Sequence, residues 1–477
     1  MPAELKSELL KRIPPITELL KSEEALRWLQ TEPPALVTDC LRRAAGSVRQ
    51  EVLADETGAW TADRITAGVI LDRAGHLLAE ATSPLVRAAI NATGIILHTG
   101  LGRAVFPGAV VDSILRELKG YSTLAVDRET GDRIERDELV EPILTELTGA
   151  ESATVVNNNA AATLLALSAL AAQREVIVSR GQLIEIGGSF RLPEVMAQSQ
   201  AKLVEVGATN RTHLRDYQKA ITPNTAAILR VHPSNYRVVG FTSQPELAEL
   251  AELARGRGVL LIDDLGAGAL VGLEQFGLPH EPTVRESVEA GADAVLFSGD
   301  KLIGAGQAGI IAGRKELIAR LRSHPLMRAV RVDKTCLMVL ERTLHLFRDP
   351  ERLRREHPTY RMLTTPVAAL RRRAETLVKE LAEAAPEIET DIDTGVAYLG
   401  SGSLPTEAIP SVRVSARAPG LSASDLARRL RLDPACVFGR IEEDRVWLDM
   451  RTLAEGQGKE LAEAVARACR TEQPLLR

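Results

Sequence analysis

The chain has little cysteine: Cys40, Cys336, Cys436 and Cys469 are four residues in 477, widely scattered and without C-x-x-C spacing. Neither a zinc site nor a disulfide framework is implied, no metal is expected, and a reducing cytoplasm suits the composition. No stretch of about 18 apolar residues occurs, and no basic segment followed by an apolar core opens the chain, so membrane spanning and secretion are not expected. A basic excess is missing too. Lys and Arg number 59 against 64 Asp and Glu, for a formal net charge of −5. Phosphate contacts need clustered cations, so this total argues mildly against nucleic acid while leaving room for a local patch.

Two familiar signatures are incomplete. Ser298-x-x-Lys301 matches the nucleophile motif of penicillin-binding enzymes, but no Ser-Asp-Asn or Lys-Thr-Gly completes it. Gly304-Ala305-Gly306-Gln307-Ala308-Gly309 matches G-x-G-x-x-G, yet the apolar Ile310-Ile311-Ala312 follows instead of a helix. The dinucleotide fingerprint requires strand, turn and helix, so that reading fails.

What is present begins at Lys301. Ala294-Val295-Leu296-Phe297 is a continuous apolar run closed by Ser298-Gly299, the pattern of a strand covered on both faces in a parallel sheet. Lys301 follows the carboxyl end of that strand, the edge where open α/β sheets bind ligands. A lysine desolvated there loses pKa and can act as a nucleophile or form a Schiff base. A lone lysine after a strand is otherwise a solvated surface residue, so its neighbours decide.

Val259-Leu260-Leu261-Ile262-Asp263-Asp264-Leu265-Gly266 reads as a second buried strand, ending in two carboxylates. An acid facing the pyridine nitrogen of pyridoxal phosphate keeps that ring an electron sink; the plainer role for such an Asp is a helix N-cap. Ala153-Thr154-Val155-Val156-Asn157-Asn158-Asn159-Ala160-Ala161-Ala162 is a strand, a polar turn and a helix rich in alanine. Free amides at that helix start would hold a phosphate dianion, and Ser298 could add a hydroxyl. Strand then phosphate-binding helix, strand then acid, strand then Ser-x-x-Lys together resemble a pyridoxal phosphate enzyme of the aspartate aminotransferase fold.

Three domains are expected. Residues 1–88 carry helical periodicity without strands, at 16–20, 25–29 and 36–53, broken by Pro14-Pro15 and Pro33-Pro34. Residues 89–342 alternate strands (175–179, 202–206, 226–231, 259–263) with helices such as 244–254, which predicts a mostly parallel α/β sheet with crossover helices. Residues 343–477 open with a charged helical stretch and continue into strands at 411–414, 436–440 and 445–449, with helices at 424–430 and 458–469, a small α+β domain.

The resemblance then becomes specific. Ile90-Asn91-Ala92-Thr93-Gly94, His98-Thr99-Gly100-Leu101-Gly102-Arg103-Ala104, the run from Val156 through Asn157-Asn158-Asn159, Ser179-Arg180-Gly181-Gln182-Leu183-Ile184-Glu185-Ile186-Gly187-Gly188, Gly207-Ala208-Thr209-Asn210-Arg211-Thr212 and Ser298-Gly299-Asp300-Lys301 closely resemble the bacterial selenocysteine synthases, the L-seryl-tRNA(Sec) selenium transferases. The match extends through Arg328-Ala329-Val330-Arg331-Val332-Asp333-Lys334, residues 400–405, and Gly439-Arg440-Ile441 with Trp447-Leu448-Asp449.

This resemblance implies a cytoplasmic pyridoxal phosphate enzyme that converts seryl-tRNA(Sec) to selenocysteinyl-tRNA(Sec) with selenophosphate, through an aminoacrylyl-tRNA intermediate. It implies catalytic roles for Lys301, Asp300, Arg103, Arg328 and Arg331, the arginines forming the site of the anionic selenium donor. Cofactor binding falls to Lys301, Ser298, Asp264, Asn157, Asn158 and Asn159, with Arg180, Gln182 and Glu185 as further candidates. It also implies a tRNA-binding helical domain over 1–88 and a homodecamer built as a ring of dimers. Because 1–88 is not basic overall, Arg42, Arg43 and Arg49 are the candidates for tRNA contact there, while Trp28 and Trp60 could stack on bases or belong to the core.

The sequence departs from the family at Gly100, usually Asn, at Gly304-Ala305-Gly306, usually Gly-Gly-Pro, and in the doubled acid Asp263-Asp264, of which Asp264 immediately precedes Leu-Gly. Two other functions fit the same residues: a pyridoxal phosphate lyase or transferase acting on a free small amino acid, and an inactive RNA-binding scaffold. Residues 1–88 favour a tRNA substrate over the first, and retention of Lys301, Asp264 and the arginines argues against the second.

Overall fold

The computed structural model describes residues 2–186, 190–404 and 407–470; Gly187, Gly188 and Pro405 of the matched segments lie outside the described residues. Two compact units divide the chain, Met1–Ala88 and Ala89–Arg477.

The first unit consists of helices Ala3–Lys11, Ile16–Leu19, Glu23–Thr31, Pro34–Ala54 and Ala67–Thr82. Pro34 occupies the first position of the longest helix, where its missing N–H costs nothing. Thr66 caps the last helix by accepting from the Val69 amide at 3.3 Å. Leu41, Val48, Val52, Ile70, Ala74 and Leu78 share one core, and Trp28 and Trp60 pack half-buried against it. Arg73 lies 5.6 Å from the Trp60 ring centre and is held by Glu51 at 2.6 Å. Both indoles are therefore engaged in packing. Arg42, Arg43 and Arg49 are exposed on the long helix.

In the second unit seven strands form one sheet: β1 Ser152–Val156, β2 Glu175–Ser179, β3 Lys202–Val206, β4 Thr225–Val231, β5 Leu260–Gly266, β6 Ala294–Ser298 and β7 Gly309–Gly313. Their order is β1-β7-β6-β5-β4-β2-β3. All pairings are parallel except those of β7, which runs antiparallel between β1 and β6. Six of the seven coincide within a few residues with the apolar runs of the sequence, and the helix expected at 244–254 is Leu247–Arg257.

β7 is the strand that periodicity did not assign. Its Gly-Ile-Ile-Ala-Gly run is fully buried, and glycine is required at both ends: a Cβ at Gly309 would lie 2.1 Å from the Asn158 carbonyl oxygen, and one at Gly313 2.3 Å from that of Asp293. The run 304–309 thus leads into a strand, without the helix start that a dinucleotide site uses.

Four antiparallel strands, β8 Glu389–Ala397, β9 Ile409–Arg417, β10 Arg440–Glu442 and β11 Arg445–Asp449, form a second sheet in the order β8-β9-β11-β10. Helices Val367–Ala384, Ala423–Leu432 and Gly458–Cys469 contribute to its core. Ile90 and Ala92 belong to this core as well, because Ile90–Asn91 pairs in parallel with Val437–Phe438. The expected division at 343 falls inside helix Lys334–Leu344. Leu340, Leu344, Leu353, Tyr360 and Leu363 all pack into the large core, so by packing the small domain starts at the helix Val367–Ala384.

Part of that large core is polar. His357 is fully buried beside Phe347, with ring centres 6.0 Å apart, and burial pushes its pKa down from 6.5 to about 4. Between those values the unfolded chain binds a proton that the folded one does not. Stability is therefore complete above about pH 6.5 and falls toward pH 4, by about 3 kcal/mol for this group alone. Thermal melts of the unaltered chain from pH 7 to 4.5 should fall more steeply than those of His357→Phe; parallel curves would remove the imidazole from the explanation.

Candidate active site

The carboxyl ends of β5 and β6 meet because the two strands run parallel in register, with Asp264 opposite Leu296 and Gly266 opposite Phe297 across a bulge. Beyond β6 the chain closes a tight loop before β7: the Gly299 amide donates to the Ala308 carbonyl at 2.8 Å and the Ala305 amide to that of Gly299 at 2.9 Å. Lys301 sits in this loop at 7% exposure.

A cavity of about 290 Å³ opens at this edge, lined among others by Lys301, Asp300, Arg103, Asp264, Ser298, Asn158 and Asn159. Burial lowers the Lys301 pKa, Arg103 adds repulsion, and Asp300, Asp264 and Glu281 oppose the shift more weakly. The amine therefore gives up its proton more readily than a solvated lysine. Arg103 pairs with Asp300 at 2.5 Å. It is presented from a turn in which Gly102 and Arg103 both take positive φ, 90° and 64°.

The doubled acid divides its work by strand alternation. Asp264 lines the cavity, accepting from Asn159 Nδ2 at 2.8 Å and from Thr163 Oγ1 at 3.1 Å. Burial raises its pKa, against the pull of those two donors and of Lys301. Asp263 is committed elsewhere, to Arg230 at 2.8 Å and to the Ser287 hydroxyl at 2.7 Å, so it serves the core.

The helix Asn159–Ala171 starts at the cavity. Asn158 caps it by accepting from the Ala161 amide at 2.8 Å, and Asn158, Asn159 and Ala160 all line the space together with Ser298 and Gln307. The first amides of a helix have no intrahelical acceptor and a positive dipole behind them, which suits a phosphate. A desolvated lysine, a buried carboxyl with raised pKa and an anion cradle in one cavity fit pyridoxal phosphate: an aldehyde for the amine, a ring nitrogen for the acid, a phosphate for the helix start.

Other expected site residues lie off this cavity. The Asn157 amide is tied to the Val330 carbonyl at 2.8 Å. The side-chain Oε1 of Gln182 accepts from the Val231 main-chain N–H at 3.1 Å, bracing the end of β4. Arg180 is held by Glu205 at 3.1 Å, and Glu185 by Arg191 at 2.8 Å. Arg328 is exposed and Arg331 half-buried. Neither side chain has a hydrogen bond or ion pair among the described residues, and neither lines the cavity. Arg331 lies close enough to Arg136 to add to the burial that lowers the Arg136 pKa.

The cavity also holds residues to which the sequence motifs gave no role. His232 follows β4 directly and stands 3.3 Å from the buried Glu281, while Ile184, Ile186 and Phe190 supply apolar lining. Like Lys301 and Asp264, His232 lies at a strand's carboxyl end, being the first residue past β4.

The same substitution at 263 and 264 should separate the two acids. Asp263→Asn leaves the largely buried Arg230 without its counter-charge and should cost about 3 kcal/mol. Asp264→Asn removes a carboxylate that burial already disfavours and should leave the melting temperature nearly unchanged. Equal losses in thermal melts would contradict this division.

The family described as SelA, L-seryl-tRNA selenium transferase, matches residues 89–454. The chain is 46% identical over 446 residues to the L-seryl-tRNA(Sec) selenium transferase of Geotalea uraniireducens (strain Rf4), covering 93% of this chain and 96% of that protein. It is 44% identical over 448 residues to the protein of the same description from Geobacter sulfurreducens, covering 94% and 96%. Among solved structures, D-glucosaminate-6-phosphate ammonia-lyase superposes with a TM-score of 0.56 at 23% identity, over 80% of this chain and 96% of that one. That likeness concerns the fold alone.

Proposed function

Because the chain belongs to the L-seryl-tRNA selenium transferase family, we propose that it converts L-seryl-tRNA(Sec) to L-selenocysteinyl-tRNA(Sec), with selenophosphate as the selenium donor and pyridoxal phosphate as cofactor. The observation that carries this reading is the convergence of Lys301, Asp264, Asp300, Arg103, Ser298 and the Asn158–Asn159 helix start on one cavity. The cofactor supplies an electron sink for the serine α-carbon and the exit of its hydroxyl.

The chain's own residues do the rest. Lys301 Nζ would hold the cofactor and is the base placed to take the serine α-proton, a role its lowered pKa favours. Asp264, reluctant to stand as a lone buried anion, would pair with the cofactor's ring nitrogen and favour its protonated form. The amides at the helix start and Ser298 hold the phosphate. Asp300 fixes the Arg103 guanidinium at the cavity. Arg103, Arg328 and Arg331 bind the anionic selenium donor, since guanidinium forks match tetrahedral oxyanions. Within one chain the last two lie off the cavity, which favours assembly of the donor site between copies of a homo-oligomer, a homodecamer in this reading.

The helical unit over 1–88 receives the tRNA, with Arg42, Arg43 and Arg49 as exposed cations. Among the described residues no helix is long and apolar enough to cross a membrane, and the reaction is assigned to the cytoplasm, where charged tRNA is available.

The test incubates purified protein with seryl-tRNA(Sec) and selenophosphate and follows selenium incorporation into the tRNA. Lys301→Ala should lose the cofactor's visible absorption band and at least about 100-fold in rate. A protein that ignores the charged tRNA and deaminates a free amino acid would establish a small-molecule lyase instead. One with no cofactor band at all would establish an inactive scaffold.

A further inference from the structure

The residues just after Lys301 are held from beneath by a helix outside the cavity. Lys301, Leu302 and Ile303 each have a carbonyl whose partner is identified. The Lys301 carbonyl accepts from the Gly304 amide at 3.1 Å, closing a turn. The Leu302 carbonyl accepts from the Tyr360 hydroxyl at 3.1 Å. The Ile303 carbonyl lies 2.9 Å from His357 Nε2.

Tyr360 belongs to helix Pro358–Thr364 and His357 is its N-cap residue. A neutral imidazole bonded to a carbonyl carries its proton on Nε2, and His357 Nδ1 has no partner among the described residues. Packing fixes both rings. Tyr360 stands 4.8 Å from Phe276 and 5.8 Å from Phe347, centre to centre, and His357 stands 5.0 Å from Tyr360.

Gly304 completes the contact from the other side. Its φ is +69°, and a Cβ there would lie 2.2 Å from the His357 ring. The loop is thus seated directly on the imidazole, with no room for a side chain between. Both side chains are fully buried and neither lines the cavity.

We propose that His357 and Tyr360 are positioning residues for Lys301. Their hydrogen bonds to the two carbonyls that follow the lysine fix the turn 301–304 as a rigid unit, and so set the direction from which Nζ enters the cavity. The two bonds are independent in chemistry and act on adjacent peptide planes, which removes the rotation that either one alone would allow. Both buried donors exist in a region otherwise built of Phe276, Phe347 and Leu residues, where an unmade hydrogen bond is costly. This rests on the reading that Lys301 carries the cofactor.

The experiment compares Tyr360→Phe, which deletes one hydroxyl and keeps the ring, with His357→Phe and His357→Gln, the last retaining an N–H donor. Each holoenzyme is titrated by visible absorbance for the pH midpoint of the cofactor band, assayed for kcat and KM with seryl-tRNA(Sec), and melted. Tyr360→Phe and His357→Phe should each move the midpoint by at least about half a pH unit and lower kcat about tenfold, with KM within about twofold, because a small misplacement of a reacting group acts on the chemical step. His357→Gln should recover part of both effects. If melting temperatures fall while the midpoint and kcat stay put, the two residues only support the fold and the proposal is overturned. Should His357→Phe fail to fold, Tyr360→Phe decides alone. A wild-type protein without a lysine-dependent band would instead overturn the underlying assignment of Lys301.

Discussion

The parallel pairing of β5 with β6 is the constraint on which the site depends. It brings the ends of two apolar strands to one sheet edge, with Asp264 opposite Leu296, so that an acid and a lysine 37 positions apart in the sequence line the same cavity. A one-residue slip of β5 would exchange the faces of Asp263 and Asp264. The acid already bonded to Arg230 and Ser287 would then point to the cavity, and Asp264 would lose Asn159 and Thr163. Because both acids are committed to different donors, polar contacts reinforce the register that apolar burial sets.

The site holds several charges out of water, and its design distributes the cost. Lys301 and Asp264 both shift toward their neutral forms under burial, so the chain is not asked to keep a full ion pair in a dry cavity. Arg103 and Asp300 stay paired and partly solvated, and the repulsion of the guanidinium adds to the burial that lowers the Lys301 pKa. The result is an amine whose protonation is easily changed beside a fixed cation. That combination suits a group that must first bond to a carbonyl and then move a proton.

The sequence made strands legible where burial is two-sided, since a continuous Val, Ile and Leu run has few other uses. It also made the acid, the lysine and the helix start legible, because each directly follows such a run. β8 was not legible for the opposite reason. Its Glu-Thr-Asp-Ile-Asp-Thr-Gly-Val-Ala stretch is mostly polar and carries no apolar signal. It is held by main-chain pairing with β9 and by Arg413, Arg417 and Arg445, which reach its acids from neighbouring strands. The helix Ala3–Lys11 is likewise weakly marked in the sequence, because its apolar face is narrow. Arg180 and Gln182 sat in a segment resembling a family motif, yet their side chains brace the loop that walls the cavity; a motif identifies a segment, and only the backbone path decides which residues of it face the ligand.

The departure at Gly304-Ala305-Gly306 shows which part of that loop is constrained. At Gly304 the positive φ and the His357 ring both exclude a side chain, so glycine there is obligatory. Ala305 is buried at 1% exposure and its amide is bonded to the Gly299 carbonyl; a methyl fits, and the hydrogen bond that closes the loop is unaffected. At Gly306 a Cβ would lie 3.2 Å from both Cα and Sγ of Cys336, a tighter approach that helix Lys334–Leu344 would have to yield to by a few tenths of an ångström. A glycine in place of proline at 306 loosens the unfolded chain more than the folded one, and it leaves untouched the three carbonyls that hold the lysine turn. The loop can therefore vary at its second and third positions while the geometry that presents Lys301 is kept by Gly304, His357 and Tyr360.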